Sequence, residues 1–116
     1  MVQNLILDDY IVGDTFGKVK FELLLDDPIK PIIIKDASLK VRFTFNNRYG
    51  KLVKILTVGN GITITDYING KFEIDEINNF LSSYGNYYYN IEITYPTGQV
   101  ITVLEGAIIA KNKVFN

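Results

Sequence analysis

Residues 59–74 read GNGITITDYINGKFEI, and this stretch decides the fold class. Ile62 and Ile64 alternate with Thr63 and Thr65, and Phe72 and Ile74 alternate with Lys71, Glu73 and Asp75. A period of two is the mark of half-buried strands. Between the two runs, Asn69 and Gly70 readily take positive φ, so the segment reverses the chain as a two-residue turn or as a wider loop with Gly70 left-handed. The Gly59, Asn60, Gly61 run punctuates the chain one strand earlier.

The same grammar extends outward. Val19, Phe21, Leu23 and Leu25 share one face against Lys18, Lys20 and Glu22, with Phe16 out of phase, which predicts a bulge at Gly17. Leu39, Val41, Phe43 and Phe45 alternate with Lys40, Arg42, Thr44 and Asn46, and a loop at residues 46–50 leads into KLVKILTV. Tyr87, Tyr89, Ile91 and Ile93 oppose Tyr88, Asn90, Glu92 and Thr94, and a turn at residues 96–98 feeds VITVLEG and AIIAK. About seven strands at this spacing predict an all-β antiparallel sandwich. One segment breaks the rhythm: Ile77, Phe80 and Leu81 fall on one helical face behind Asp75 as an N-cap, so one short helix is expected over residues 75–81. Pro28 and Pro31 mark an irregular edge crossing.

The totals bound the function. The 116 residues, 47 % hydrophobic and 22 % charged, suit one packed domain covering residues 1–116. Twelve Lys and Arg against thirteen Asp and Glu leave a net charge of −1, which provides no field to gather phosphates or anionic lipid, so neither nucleic acid nor membrane is an expected partner. The first residues, MVQNLILDDY, lack a basic region and a small-residue cleavage site, so no secretory signal is expected. The chain has no cysteine and no histidine, which removes disulfides, thiolate metal sites and the most versatile proton carriers. The expectation is a non-enzyme without cofactors or metals. Asp8 with Asp9 and Asp26 with Asp27 read as solvated carboxylates, since neighbours in an extended strand face opposite ways. Lys18, Lys20, Lys40 and Arg42 would form a basic strip only if their strands were adjacent, and otherwise belong to solvated sheet faces.

The tyrosine cluster has more to offer. Alternation turns Tyr87 and Tyr89 inward and Tyr88 outward, which makes Tyr88 the candidate contact residue, toward a protein or a glycan. Val114 and Phe115, near the end of KNKVFN, are candidate interface residues too, since an apolar pair in a terminal segment calls for a partner, either its own domain or a neighbouring subunit.

Taken together in order, GDTF (13–16), PIII (31–34), ASLKVRF (37–43), GITI (61–64), GKFEI (70–74), DEINNFL (75–81) and the run from GNYYYNIEITY to VLEG (85–106) resemble the small immunoglobulin-like domain of tailed-bacteriophage structural proteins. That domain is best known at the N-terminus of phage baseplate upper proteins. The crossing at Lys30 and Ile33 to Asp36 departs from the family's usual Gly, Asp and Leu-Thr-Gly, and a stand-alone subunit without a shaft region is the expectation. The resemblance implies an immunoglobulin-like fold and a structural virion subunit, an auxiliary or decoration protein on the capsid or an accessory one on the tail or neck. It also implies other virion proteins as partners, self-association in a symmetric assembly, and assembly into the virion in the host cytoplasm. An adhesin-like module holding a host-surface glycan through Tyr88 is the alternative.

Overall fold

A computed structural model describes residues 3–26, 29–46 and 50–112, and every regular element among them is a β-strand. They are β1 (Gln3–Ile6), β2 (Tyr10–Ile11), β3 (Val19–Glu22), β4 (Leu24–Asp26), β5 (Ile29–Pro31), β6 (Ser38–Phe45), β7 (Lys51–Val58), β8 (Gly61–Asp66), β9 (Lys71–Ile74), β10 (Gly85–Thr94) and β11 (Val100–Lys111). Their order across the main sheet is β1, β11, β10, β6, β7, β8, β9, β3, with β2 following β1 along the same edge of β11. β4 and β5 pair separately as a small hairpin.

The sheet is mixed rather than purely antiparallel. β1 and β2 run parallel to β11, and β7 meets β8 in parallel over two residue pairs, Thr57 with Gly61 and Val58 with Ile62. It also curls. Eight flat strands would span roughly 34 Å at the usual strand spacing, whereas the two shorter dimensions of the molecule are 26 and 25 Å. Curling brings both ends of the sheet onto one core, in which Phe21 of β3 and Ile108 of β11 belong to the same buried cluster.

Alternation builds that core as the sequence predicts. Tyr87, Tyr89, Ile91 and Ile93 of β10 are buried against Leu39, Val41 and Phe43 of β6. Phe21 and Phe72 stack with ring centres 5.1 Å apart across the β3 and β9 pair. The expected bulge at Gly17 takes another form: Phe16 leaves the β3 register altogether and pairs with Ile77 in an isolated bridge. Leu25 does not extend β3 either, because the chain turns at Leu23 into the β4 and β5 hairpin. Pro31 closes β5 opposite Leu24, in a two-stranded sheet where every strand is an edge, the place a sheet tolerates proline.

The helix expected over residues 75–81 does not form. Ile77 exchanges both backbone hydrogen bonds with Phe16, at 2.8 and 2.9 Å, so its N–H and C=O point across to another segment instead of along a helix axis. Asn79 then takes φ +53°, a left-handed residue that ends any helical run. A helix of seven residues has little stability of its own. The competing arrangement buries Phe80, whose ring lies 4.8 Å from Phe43 and 4.5 Å from Phe16. The apolar spacing thus marks buried residues correctly, since Phe80 and Leu81 are both in the core, but assigns them the wrong backbone.

Candidate interaction surface

The outer face of β11, β10, β6 and β7 is built by the same alternation that fills the core. Register places Tyr88 between Thr44 and Ala107, Asn90 between Arg42 and Glu105, and Glu92 between Lys40 and Thr102. Arg42 donates to Glu92 in an ion pair between neighbouring strands. The Oδ1 of Asn90 is buried with no hydrogen-bond partner. Tyr88 faces outward as expected, yet it is half-buried rather than fully open. Val114 and Phe115 lie outside the described residues.

On the inner side the Tyr87 hydroxyl donates to the Ser83 carbonyl at 2.8 Å. Burial pushes the Tyr87 phenol above its ordinary value, and burial pushes the Tyr89 phenol far above it. These rings are core residues with polar tips. Tyr84, by contrast, is 64 % exposed.

The charged residues do not converge. β3 and β6 are separated by β9, β8 and β7, so Lys18 and Lys20 never meet Lys40 and Arg42. Lys18 pairs with Glu73 at 3.2 Å instead. Asp9 pairs with Lys111 at 2.7 Å, and Asp8 is exposed. Asp26 lies in β4, while Asp27 is outside the described residues. Among the described residues, no group of three or more Asp or Glu side chains is placed to hold a metal ion.

What does stand out is β7. Leu52, Val53, Ile55 and Val58 are exposed by 40 to 47 % on this one strand. Beyond Val58 the apolar surface continues into Tyr67 and Ile68 at the tip of the loop joining β8 and β9, and Val58, Ile64, Tyr67 and Ile68 line a shallow depression of about 690 Å³ rimmed by Lys35 and Asp36. Asp66 holds that loop: its Oδ1 accepts from the N–H groups of Ile68 and Asn69, and its Oδ2 accepts from the Asn69 side chain at 2.7 Å. The Asn69 side chain first, and then the Asn69 backbone, keep the Asp66 carboxyl below the usual carboxylate range. The β7 strip was open to a sequence reading. KLVKILTV carries five apolar residues in eight, more than one face of a strand can bury, so some must meet solvent or a partner.

β7 also presents a free backbone edge. It pairs with β6 on one side, and on the other with β8 only at Thr57 and Val58, so among the described residues no strand pairs with that edge between Lys51 and Leu56. A bulge leaves Val53 without a partner on β6, between the Lys54 and Phe43 pair and the Leu52 and Thr44 pair.

No protein-family model and no curated protein matches the chain. Among solved structures it is similar to CopC from Methylosinus trichosporium OB3b, at 12 % identity over 93 % of this chain and 88 % of that one, with a TM-score of 0.49. It is also similar to murine CRIg, at 10 % identity over 97 % of this chain and 93 % of that one, with a TM-score of 0.39.

Proposed function

We propose that the chain is an immunoglobulin-like β-sandwich acting as a non-enzymatic structural subunit of a tailed-bacteriophage particle, an auxiliary or decoration protein of the capsid or an accessory protein of the tail or neck. The sandwich reading is supported by the way the curled sheet divides. Among the described residues, β11, β10, β6 and β7 are joined to β8, β9 and β3 in the sheet by only two residue pairs, at the tight turn of residues 59–61. The structural role draws on the family resemblance of the sequence, and the observation that carries it is the apolar, unpaired edge of β7. Three exposed aliphatic side chains, Leu52, Val53 and Ile55, beside open backbone groups fit attachment by protein contact.

Quantitative peptide mass spectrometry of gradient-purified particles, from the phage that encodes the chain, tests this. The expected result is a fixed copy number relative to the major capsid or tail protein, unchanged by a further round of purification. Recovery of the chain only in the unassembled fraction contradicts it.

A further inference from the structure

We propose that Asn60 is a site of spontaneous deamidation, that Asp66 protects Asn69 from the same reaction, and that the isoaspartate formed at Asn60 loosens the joint between β7 and β8. The chain contains two Asn-Gly pairs, Asn60 with Gly61 and Asn69 with Gly70. A glycine after asparagine sets no side chain beside the attacking nitrogen and leaves the backbone free to rotate, so the two pairs are equally reactive in an unfolded chain. Both asparagines are exposed, so exposure does not separate them either.

The reaction consumes water and releases ammonia. The Gly61 main-chain nitrogen attacks Cγ of Asn60, and the new C–N bond closes a cyclic imide. The proton of that nitrogen passes through solvent to Nδ2, and the Cγ–Nδ2 bond breaks. Water then opens the ring. Attack at Cγ gives aspartate, and attack at the Asn60 main-chain carbonyl gives isoaspartate, with the chain now running through Cβ and Cγ.

Cyclisation requires the side chain to swing its Cγ toward the following nitrogen. Asp66 holds Asn69 against that movement: Asn69 Nδ2 donates to Asp66 Oδ2 at 2.7 Å, and the Asn69 N–H donates to Asp66 Oδ1 at 3.2 Å. Bonds to an ionised acceptor are the stronger kind, and donation to a carboxylate enriches the amide in electrons, which makes Cγ a poorer electrophile. Gly70 is wedged as well, with the carbonyl oxygens of Ile32 and Leu23 at 2.6 and 2.8 Å from where its Cβ would stand. The Asn69–Gly70 peptide has no room to turn.

Asn60 is held differently. Its backbone exchanges two hydrogen bonds with Thr57, at 2.9 and 3.1 Å, but its side chain has no hydrogen-bond partner among the described residues. The atoms nearest the Gly61 Cβ position are Cδ2 and Cγ of Leu56, at 2.6 and 3.2 Å, and a side chain can change rotamer where main-chain oxygens cannot yield. The same turn carries the pairing of Thr57 with Gly61 and of Val58 with Ile62. Isoaspartate lengthens the main chain inside this turn, so Asn60 and Gly61 no longer both keep their register on Thr57.

The test incubates the full chain folded, in mildly alkaline buffer, and in parallel unfolded in guanidinium chloride. Trypsin, cutting after Lys54 and Lys71, releases residues 55–71 with both asparagines on one peptide, and fragment ions assign each replacement of NH2 by OH. Unfolded, both sites convert at similar rates. Folded, Asn60 converts at least about tenfold faster than Asn69, the factor that one hydrogen bond to a charged group commands. Asp66→Ala brings the Asn69 rate up toward that of Asn60 and leaves Asn60 unchanged. The aged wild type melts lower than the fresh chain, and aged Asn60→Ser does not. Equal rates in the folded wild type, a faster Asn69, or conversion at neither site overturns the proposal, whether or not Asp66→Ala folds. A folded Asp66→Ala with an unchanged Asn69 rate overturns the role of Asp66, and conversion at Asn60 with an unchanged midpoint overturns the loosening of the joint.

Discussion

Gly70 is the position where the fold is least able to accept a side chain. Its φ is +65°, and a Cβ placed on it would lie 2.6 Å from the Ile32 carbonyl oxygen and 2.8 Å from that of Leu23. Neither oxygen is free to move. Leu23 donates its N–H to the Gly70 carbonyl at 2.9 Å, the Leu23 carbonyl accepts from Ile32 at 2.9 Å, and Ile34 donates to Tyr67 in the same loop at 2.9 Å. Gly70→Ala therefore adds left-handed strain of about 1 kcal/mol and weakens two backbone hydrogen bonds worth about 1 kcal/mol each. A total near 3 kcal/mol lowers the melting midpoint of a 116-residue chain by roughly 12 °C. Gly70→Val, being β-branched, costs more. Gly98→Ala is the matched control: φ is +91° but nothing lies within 4 Å of the added carbon, so only the strain remains, about 4 °C. Calorimetry of the three variants decides it. Equal shifts for Gly70→Ala and Gly98→Ala would refute the packing of the loop against Leu23 and Ile32.

Tyr89 ionises near the ordinary phenol value of 10.0 when unfolded and well above it when folded, because burial disfavours the phenolate. The folded state thus holds its proton longer, its contribution is complete below about pH 10, and stability falls as pH rises beyond that. Thermal melts in alkaline buffer check this: the midpoint of Tyr89→Phe declines less steeply above pH ~10 than that of the wild type. Asn90→Val removes a buried oxygen that has no partner, so the midpoint stays unchanged or rises by a few degrees, and a fall of more than about 4 °C would mean that Oδ1 is satisfied. EDTA leaves the melting curve unchanged, whereas a lower midpoint would reveal an ion site.

Much of the core was legible in the sequence because alternation is a local signal. Tyr87, Tyr89, Ile91 and Ile93 fall inward and Tyr88 outward as period two requires. The turn at Gly70 was legible for the same reason, since positive φ has its own residue chemistry. The helix failed because Ile77, Phe80 and Leu81 carry a burial signal that is silent about backbone direction. Their partner, Phe16, lies some sixty residues earlier in the chain. The parallel pairing of β1 and β2 with β11 was beyond local reading too, since it joins the two ends of the chain. For the candidate surface, Tyr88 was placed correctly but is half-buried. The more open surface, on β7, came from apolar residues in excess of what one strand face can hide.

Cryo-electron microscopy of the intact particle tests the structural role most directly. Placement as a virion subunit predicts ordered density for this curled sheet at fixed lattice positions, with β7 against a neighbouring protein, whether or not free glycans are added. Particles whose every ordered density is accounted for by other proteins, or a chain found only on glycan-coated host surfaces, would contradict it.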